Sequence, residues 1–260
     1  MKTSNLKRST GPLLAFAMIF TMSFAAIGPS QAADVDPAAT TILKKMTDYL
    51  VGLQQFSVHT RNTLEDVLDS GQRVDLDVSA SVVISRPNKL RAERKGDLLD
   101  QVFYYDGKVL TLHNPSHKVY ATVAAPETIE GMLDFVRVSL GLLVPASDLI
   151  YRDAYALLME DVSSAIVVGK AMIGGVRCDH LAFSRPGVDF QVWVADDGPP
   201  VPLKYVVTDT ATEARLSVVT LISDWDMAPD MGDASFSFVP PQDAKAIEFM
   251  RLDVVSESTN

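Results

Sequence analysis

The sequence predicts a mainly β protein of α+β class, in which a curved antiparallel sheet of about ten or more strands wraps around a few helices. Apolar and polar residues alternate through many short segments separated by turn-forming residues. A helical apolar period occurs only ahead of these segments and in one central insert. A sheet of that many strands rarely stays flat and open, so it is expected to curl around the helices.

Residues 1–32 have the form of an export leader. Lys2, Lys7 and Arg8 precede a 15-residue apolar run from 13 to 27, then Gly28-Pro29 and the small-residue site Ser30-Gln31-Ala32. The run is shorter than the ~20 residues of a membrane-spanning helix, so cleavage after Ala32 is expected rather than stable membrane insertion. The chain's single cysteine is Cys178, which leaves no residue for an amino-terminal lipid anchor and no internal disulfide. The expected mature chain, 33–260, reads as one soluble periplasmic domain. Losing the leader's three bases takes the formal charge from −10 to −13. That balance disfavours nucleic acid and anionic membrane surfaces as partners.

The mature chain opens with an amphipathic helix at 36–54. Ala39, Ile42, Leu43, Met46, Leu50 and Leu53 recur at helical spacing, with Lys44, Lys45 and Asp48 between them. After Gln55 the period falls to two. Through 74–84 the even positions are Val74, Leu76, Val78, Ala80, Val82 and Ile84, against Asp75, Asp77, Ser79 and Ser81. That is a strand with one dry and one wet face. Further strands are expected at 102–105, 109–113 and 119–123, separated by Asp106-Gly107 and Asn114-Pro115-Ser116. Others follow at 164–172, 176–183, 188–195, 202–208, 215–225 and 235–238. Between the two blocks, 126–160 reads as a helical insert. Ile129, Met132, Leu133, Val136 and Leu140 share one face, and a second helix spans 148–160 after Pro145.

Three motifs occur in a telling order: Ile84-Ser85-Arg86-Pro87-Asn88, then Tyr105-Asp106-Gly107-Lys108 followed by Asn114-Pro115, then Phe236-Ser237-Phe238-Val239-Pro240-Pro241. Their succession resembles the LolA/LolB-like superfamily of periplasmic lipoprotein carriers. Within 176–209, VRCDHLAF, VDFQVWVADD and PLKYVVT resemble more closely an uncharacterised family of predicted periplasmic proteins, a domain of unknown function. The resemblance implies an antiparallel half-barrel whose open side is covered by helices, with an apolar cavity for acyl chains. Candidate lining residues are Val74, Leu76, Val78, Val82 and Ile84 of the sheet, with Ile42, Met46, Met132, Leu133 and Val136 of the helices. The other reading of the same pattern is that the helices fill the half-barrel with ordinary core. The resemblance also implies that Arg86 bonds the helical lid and takes part in a switch between empty and loaded forms. A guanidinium suits that role because it carries five donors in a fixed fork. The plain alternative is a strand end in solvent.

Candidate chemistry is sparse. Cys178 and His180 lie two apart on a strand and so share a face, but no second cysteine or orienting acid can be placed beside them. His113 and His117 have helical ligand spacing, yet Pro115 between them makes a turn. His59 stands alone. Asp75/Asp77 and Asp196-Asp197 read as surface carboxylates, and the consecutive trio Phe103, Tyr104 and Tyr105 cannot share one face. No nucleophile elbow, zinc motif, phosphate loop or dinucleotide fingerprint occurs. No catalytic residue, metal or cofactor is therefore assigned. The leading expectation is a periplasmic binding protein that shelters a hydrophobic ligand: an acyl chain, a lipid or a lipoprotein. An envelope protein-interaction module without ligand is the alternative, and a Cys178/His180 enzyme the remote one. Sequencing the mature amino terminus should give Ala33, from protein released by osmotic shock; full-length chain retained in the inner membrane would contradict the leader.

Overall fold

The computed structural model describes residues 34–96 and 99–249, so the expected cleavage site lies outside the described residues. Helix α1 (Pro37–Gly52) is followed by strands β1 (Gln55–Val67), β2 (Arg73–Ser85), β3 (Lys89–Gly96), β4 (Leu99–Tyr105), β5 (Val109–Asn114) and β6 (Val119–Ala124). The insert holds α2 (Ile129–Ser139), a 3-10 turn (Ser147–Ile150) and the short α3 (Ala154–Met159). Strands β7 (Ser164–Ile173), β8 (Val176–Arg185), β9 (Val188–Ala195), β10 (Pro202–Asp209) and β11 (Ser217–Asp226) complete the second block, and β12 (Lys245–Ile247) comes last. All twelve form one unclosed, curved sheet in the order β12-β6-β5-β4-β3-β2-β1-β11-β10-β9-β8-β7. Every pairing is antiparallel except β12 with β6. The fold is the expected mainly β half-barrel.

Antiparallel register lines the concave face up in rows. Phe56, Ile84, Leu90, Tyr105 and Leu110 form the first. Val58, Val82, Ala92, Phe103 and Leu112 form the second. Ile222, Thr60, Ala80, Arg94 and Gln101 form the third.

The helices cover this face in two parts. Asp36 caps α1, accepting from the Ala38 N–H at 2.8 Å, and Pro37 supplies the preset first-turn φ. Ala39, Leu43, Met46 and Leu50 are fully buried along one side of α1, which packs with α3 over β7, β8 and β9. A backbone bridge between Val35 and Ala165 ties the start of α1 to β7. Helix α2, capped by Thr128 and with Glu130 in its first turn and Arg137 in its last, is oriented to suit its macrodipole. It buries Ile129, Met132, Leu133 and Val136 over the other half of the sheet.

Four features depart from the sequence-based expectation. Strand β3 was not foreseen, because its sequence KLRAERKG places Arg94 where the dry face should continue after Leu90 and Ala92. The expected strand at 235–238 is a 3-10 turn over Asp233–Phe236. Phe236 is buried there, and Phe238 packs against Tyr104, His113 and Tyr120. The helix expected at 148–160 breaks at Tyr151, whose extended backbone separates the 3-10 turn from α3. Tyr151 turns its hydroxyl to Asp134 of α2 at 2.9 Å, and the Ile150 carbonyl accepts from Arg86 instead of continuing a helix. The three-residue β12 adds to the edge of β6.

The first two motifs meet in space. Gly107 has φ +99°, and a Cβ there would lie 2.3 Å from Asn88 Nδ2. Gly71 has φ +81° in open space. In chemical denaturation Gly71→Ala should cost about 1 kcal/mol, from the left-handed backbone alone. Gly107→Ala should cost roughly 2–3 kcal/mol, because Asn88 must also move.

Candidate functional site: an apolar cavity beneath the helical insert

A cavity of about 110 Å³ lies between the first three rows of the sheet and the underside of the insert. Val82, Ile84, Leu90, Ala92, Phe103 and Leu110 floor it, and Met132, Leu133 and Val136 of α2 roof it. Leu50 and Trp225 close its flanks. The strap Val144-Pro145-Ala146-Ser147 borders it, with Ala146 in the left-handed region at φ 58°. The same four strap residues and Leu133 also border a second cavity of about 340 Å³, lined further by Tyr205, Val207, Val218 and Thr220.

Five of the residues expected at the cavity line it: Val82, Ile84, Met132, Leu133 and Val136. Five do not. Val74 and Leu76 sit toward the outer end of the long β1–β2 hairpin, and Leu76 is 38% exposed. The strand outruns its helical cover, so alternation continues past the dry region. Val78 is buried one row beyond Ala80, where its carbonyl accepts from Asn62 at 3.3 Å. Met46 is buried in the packed half under α1, and Ile42 is partly buried against that core. Arg94, Leu90 and the strap escaped the sequence reading. The alternation Leu90, Ala92, Arg94 was the available signal for β3.

The side chain of Arg86 is 2% exposed just past the end of β2. Its Nη2 donates to the Ile150 carbonyl at 2.8 Å, and its Nη1 lies 3.6 Å from Glu130 of α2. Glu130 also accepts from the Arg152 N–H at 3.1 Å. Burial pulls the Arg86 pKa below the usual arginine value, Glu130 opposes that and Arg152 adds to it. Nε and Nη1 have no hydrogen-bond partner among the described residues. Beside this knot, the Tyr105 hydroxyl donates to the Pro126 and Thr128 carbonyls at the entrance of α2. Burial, with nearby acids including Asp106, pushes its pKa up to about 12.

A family model described as "Predicted periplasmic protein (DUF2092)" matches residues 39–250. The chain belongs to this family. Periplasmic placement, as read from the leader, is the family's own description, and none of the described helices is long and apolar enough to cross a membrane. Solved structures similar to this DUF2092 protein include LprF from Mycobacterium bovis, at 15% identity and TM-score 0.48, covering 82% of this chain and 100% of that one. The lipoprotein LppX from Mycobacterium tuberculosis aligns at 17% identity and TM-score 0.45, over 75% and 98% of the two chains. A LolA superfamily protein from Nitrosomonas europaea aligns at 14% identity and TM-score 0.40, over 77% and 97%. No curated protein matches the chain.

The other chemical candidates of this DUF2092 protein are engaged in packing. Cys178 is fully buried and its thiol donates to the Val176 carbonyl at 3.3 Å. Burial raises its pKa, which works against a thiolate. His180 stacks on Trp193 with ring centres 4.0 Å apart, and its Nε2 lies 2.9 Å from Gln191 Oε1. His113 packs against Phe238, while His117 turns back onto Asn114. His59 lies against Ser81. Asp196 is held below the usual carboxylate range, first by its bond with Lys170, and Arg177 adds to it. Asp75 lies on an exposed stretch of β2, and Asp77 accepts from Thr63.

Two substitutions test these assignments. Glu130→Ala leaves the buried Arg86 without its counter-charge and should cost roughly 3 kcal/mol in denaturant unfolding. Cys178→Ala should cost no more than ~1–2 kcal/mol, with any ligand binding unchanged.

Proposed function

We propose that this periplasmic protein binds the acyl part of a hydrophobic ligand in the cavity beneath α2, acting as a carrier or sensor of a lipid or lipoprotein. The observation that supports the reading is the cavity itself, a void with almost wholly apolar walls at the place where a folded core would ordinarily be filled. Apolar voids stay dry and accept apolar guests, and one of ~150 Å³ suffices for benzene. At about 110 Å³ the cavity is smaller than ordinary ligand sites of ~300–1,000 Å³. Loading an acyl chain therefore requires the roof to yield. The strap 144–147 is the partition that, once displaced, would join the two cavities into one groove. Each methylene taken up contributes ~0.8 kcal/mol before the cost of association, so a handful is enough for measurable binding.

One observation favours the second reading, a docking surface for an envelope protein. Strand β7 is the outer strand of the sheet and exposes Ile166, Val168 and Met172. Edge strands with apolar faces invite strand addition. A photo-crosslinker at Val168 should give no discrete adduct in the envelope if the carrier reading is sufficient.

Displacement of a fluorescent fatty acid from purified protein tests the carrier reading. Ala92→Trp, which fills the cavity from its floor, should weaken binding at least tenfold while the fold is retained in circular dichroism. Equal binding by the filled variant would place the ligand elsewhere and remove the proposal.

A further inference from the structure

Arg94 is the only ionisable side chain among the described residues that line the smaller cavity. It projects from β3 on the same face as Leu90 and Ala92, whereas Arg91 and Glu93 on the other face pair with each other. Its neighbours in the third row are Ala80 on one side and Gln101 on the other. The guanidinium carbon lies 5.8 Å from the centre of the Phe103 ring, which supports one face of the group. Among the described residues no carboxylate lies within ion-pair distance of Arg94 and no acceptor takes its N–H groups, although other arginines of the sheet, such as Arg73, Arg91 and Arg177, are paired. Burial pulls its pKa below the usual arginine value, and no charged neighbour relieves it. It stays cationic nonetheless, because a guanidinium does not lose its proton at physiological pH.

The position of this charge along the sheet carries the argument. The first two rows of the concave face are apolar where they floor the cavity. The third introduces Thr60, Arg94 and Gln101, and beyond it Asn62 and Thr220 bond to each other at 2.9 Å. The cavity therefore has a dry end at Ile84 and Leu90 and a polar end at Arg94. Four residues of extended strand separate these ends, which is ~13 Å. A molecule lying along that axis meets hydrocarbon first and a single fixed cation last.

We infer that the ligand is a single-chain anionic amphiphile whose tail lies over the first two rows and whose carboxylate or phosphate group is bound by Arg94. The inference rests on the carrier reading proposed above and adds the chemistry of the head to it. A guanidinium offers paired N–H donors that match the two oxygens of a carboxylate or phosphate. Partial burial makes that pairing stronger than it would be at an exposed site. An uncharged ester of the same chain would occupy the tail region equally well and leave the arginine unpaired.

Direct calorimetry with three probes tests the assignment: dodecanoate, dodecyl phosphate, and the neutral methyl dodecanoate. Wild-type protein should bind both anions at least tenfold more tightly than the ester. Arg94→Gln should lose that preference without weakening the ester. Arg94→Lys should keep part of it, and Arg91→Gln on the outer face should match wild type. Which anion binds more tightly distinguishes a fatty acid from a phosphorylated lipid as the natural source. Equal affinity of wild type for anions and ester overturns the anchor while leaving the carrier reading intact, and this comparison needs no variant to fold. Survival of the anion preference in Arg94→Gln overturns it too. Failure of all three probes to bind folded wild type removes the cavity reading, and the anchor with it.

Discussion

The roof of the cavity is fastened to the sheet through one buried guanidinium. Arg86 leaves the end of β2 and reaches both parts of the insert, the Ile150 carbonyl and the Glu130 carboxylate. Three consequences follow from that attachment. The helical run of the insert breaks after Ile150, because its carbonyl faces the sheet. The entrance of α2 is held over the first row, where Tyr105 adds its own bonds to the Pro126 and Thr128 carbonyls. The strap between α2 and the 3-10 turn is then suspended between two anchored elements, which is why it can partition two cavities rather than collapse into one. The attachment is also costly. A buried charge with incomplete hydrogen bonding gives back much of its Coulombic gain as desolvation, and Arg86 keeps two nitrogens without partners among the described residues.

The same sheet supports two kinds of interior. Under α1 and α3 the concave face is covered by the buried side of α1, Leu43 and Met46 included, which packs against β7, β8 and β9. Helix α1 is also tied to β7 by backbone bonds, Asp36 to the Ala165 carbonyl at 2.9 Å and Ala165 to the Asp34 carbonyl at 3.3 Å. Under α2 the floor includes the small Ala92 beside larger residues, and one short helix and a strap must cover it. Elements with few buried contacts and local polar ties open at lower free energy than packed strands. In the proposed carrier, opening for a ligand would therefore fall to α2 and the strap rather than to α1. This divides the two helical segments that the sequence reading had treated together as one cover.

What was legible in the sequence was periodicity, and what was hidden was its interruption. Alternation through 74–84 identified the dry face of β2, and helical spacing in 129–140 identified the buried side of α2. Those two patterns were enough to place Val82, Ile84, Met132, Leu133 and Val136 on facing surfaces. They could not show where along β2 the helical cover stops, so Val74 and Leu76 were carried into the cavity by a pattern that continues in air. Strand β3 was lost for the opposite reason. Its third inward position is Arg94, and a charge on the expected apolar face erased the alternation. The role of Arg86 as a tie to the helical insert came from a motif resemblance. Nothing local to the sequence names Ile150 or Glu130 as partners 64 and 44 residues away.

A last comparison of magnitudes bears on why the cavity persists. Enclosed residual voids cost ~24 cal/mol per Å³ in core substitutions, which bounds the cost of this partly open cavity of about 110 Å³ at roughly 2–3 kcal/mol relative to a filled interior. That is a sizeable share of a total stability of ~5–15 kcal/mol. Relief would be simple: one larger apolar residue at Ala92 would occupy part of the space without disturbing strand register. The same floor also carries Arg94, where an aliphatic residue would complete the dry face and remove the penalty of a partly buried cation. Two departures from the most stable sequence thus occur side by side, an absence of volume and a presence of charge. The site proposed above, receiving hydrocarbon at one end and an anion at the other, would account for both, because its guest would fill the void and pair the cation at once.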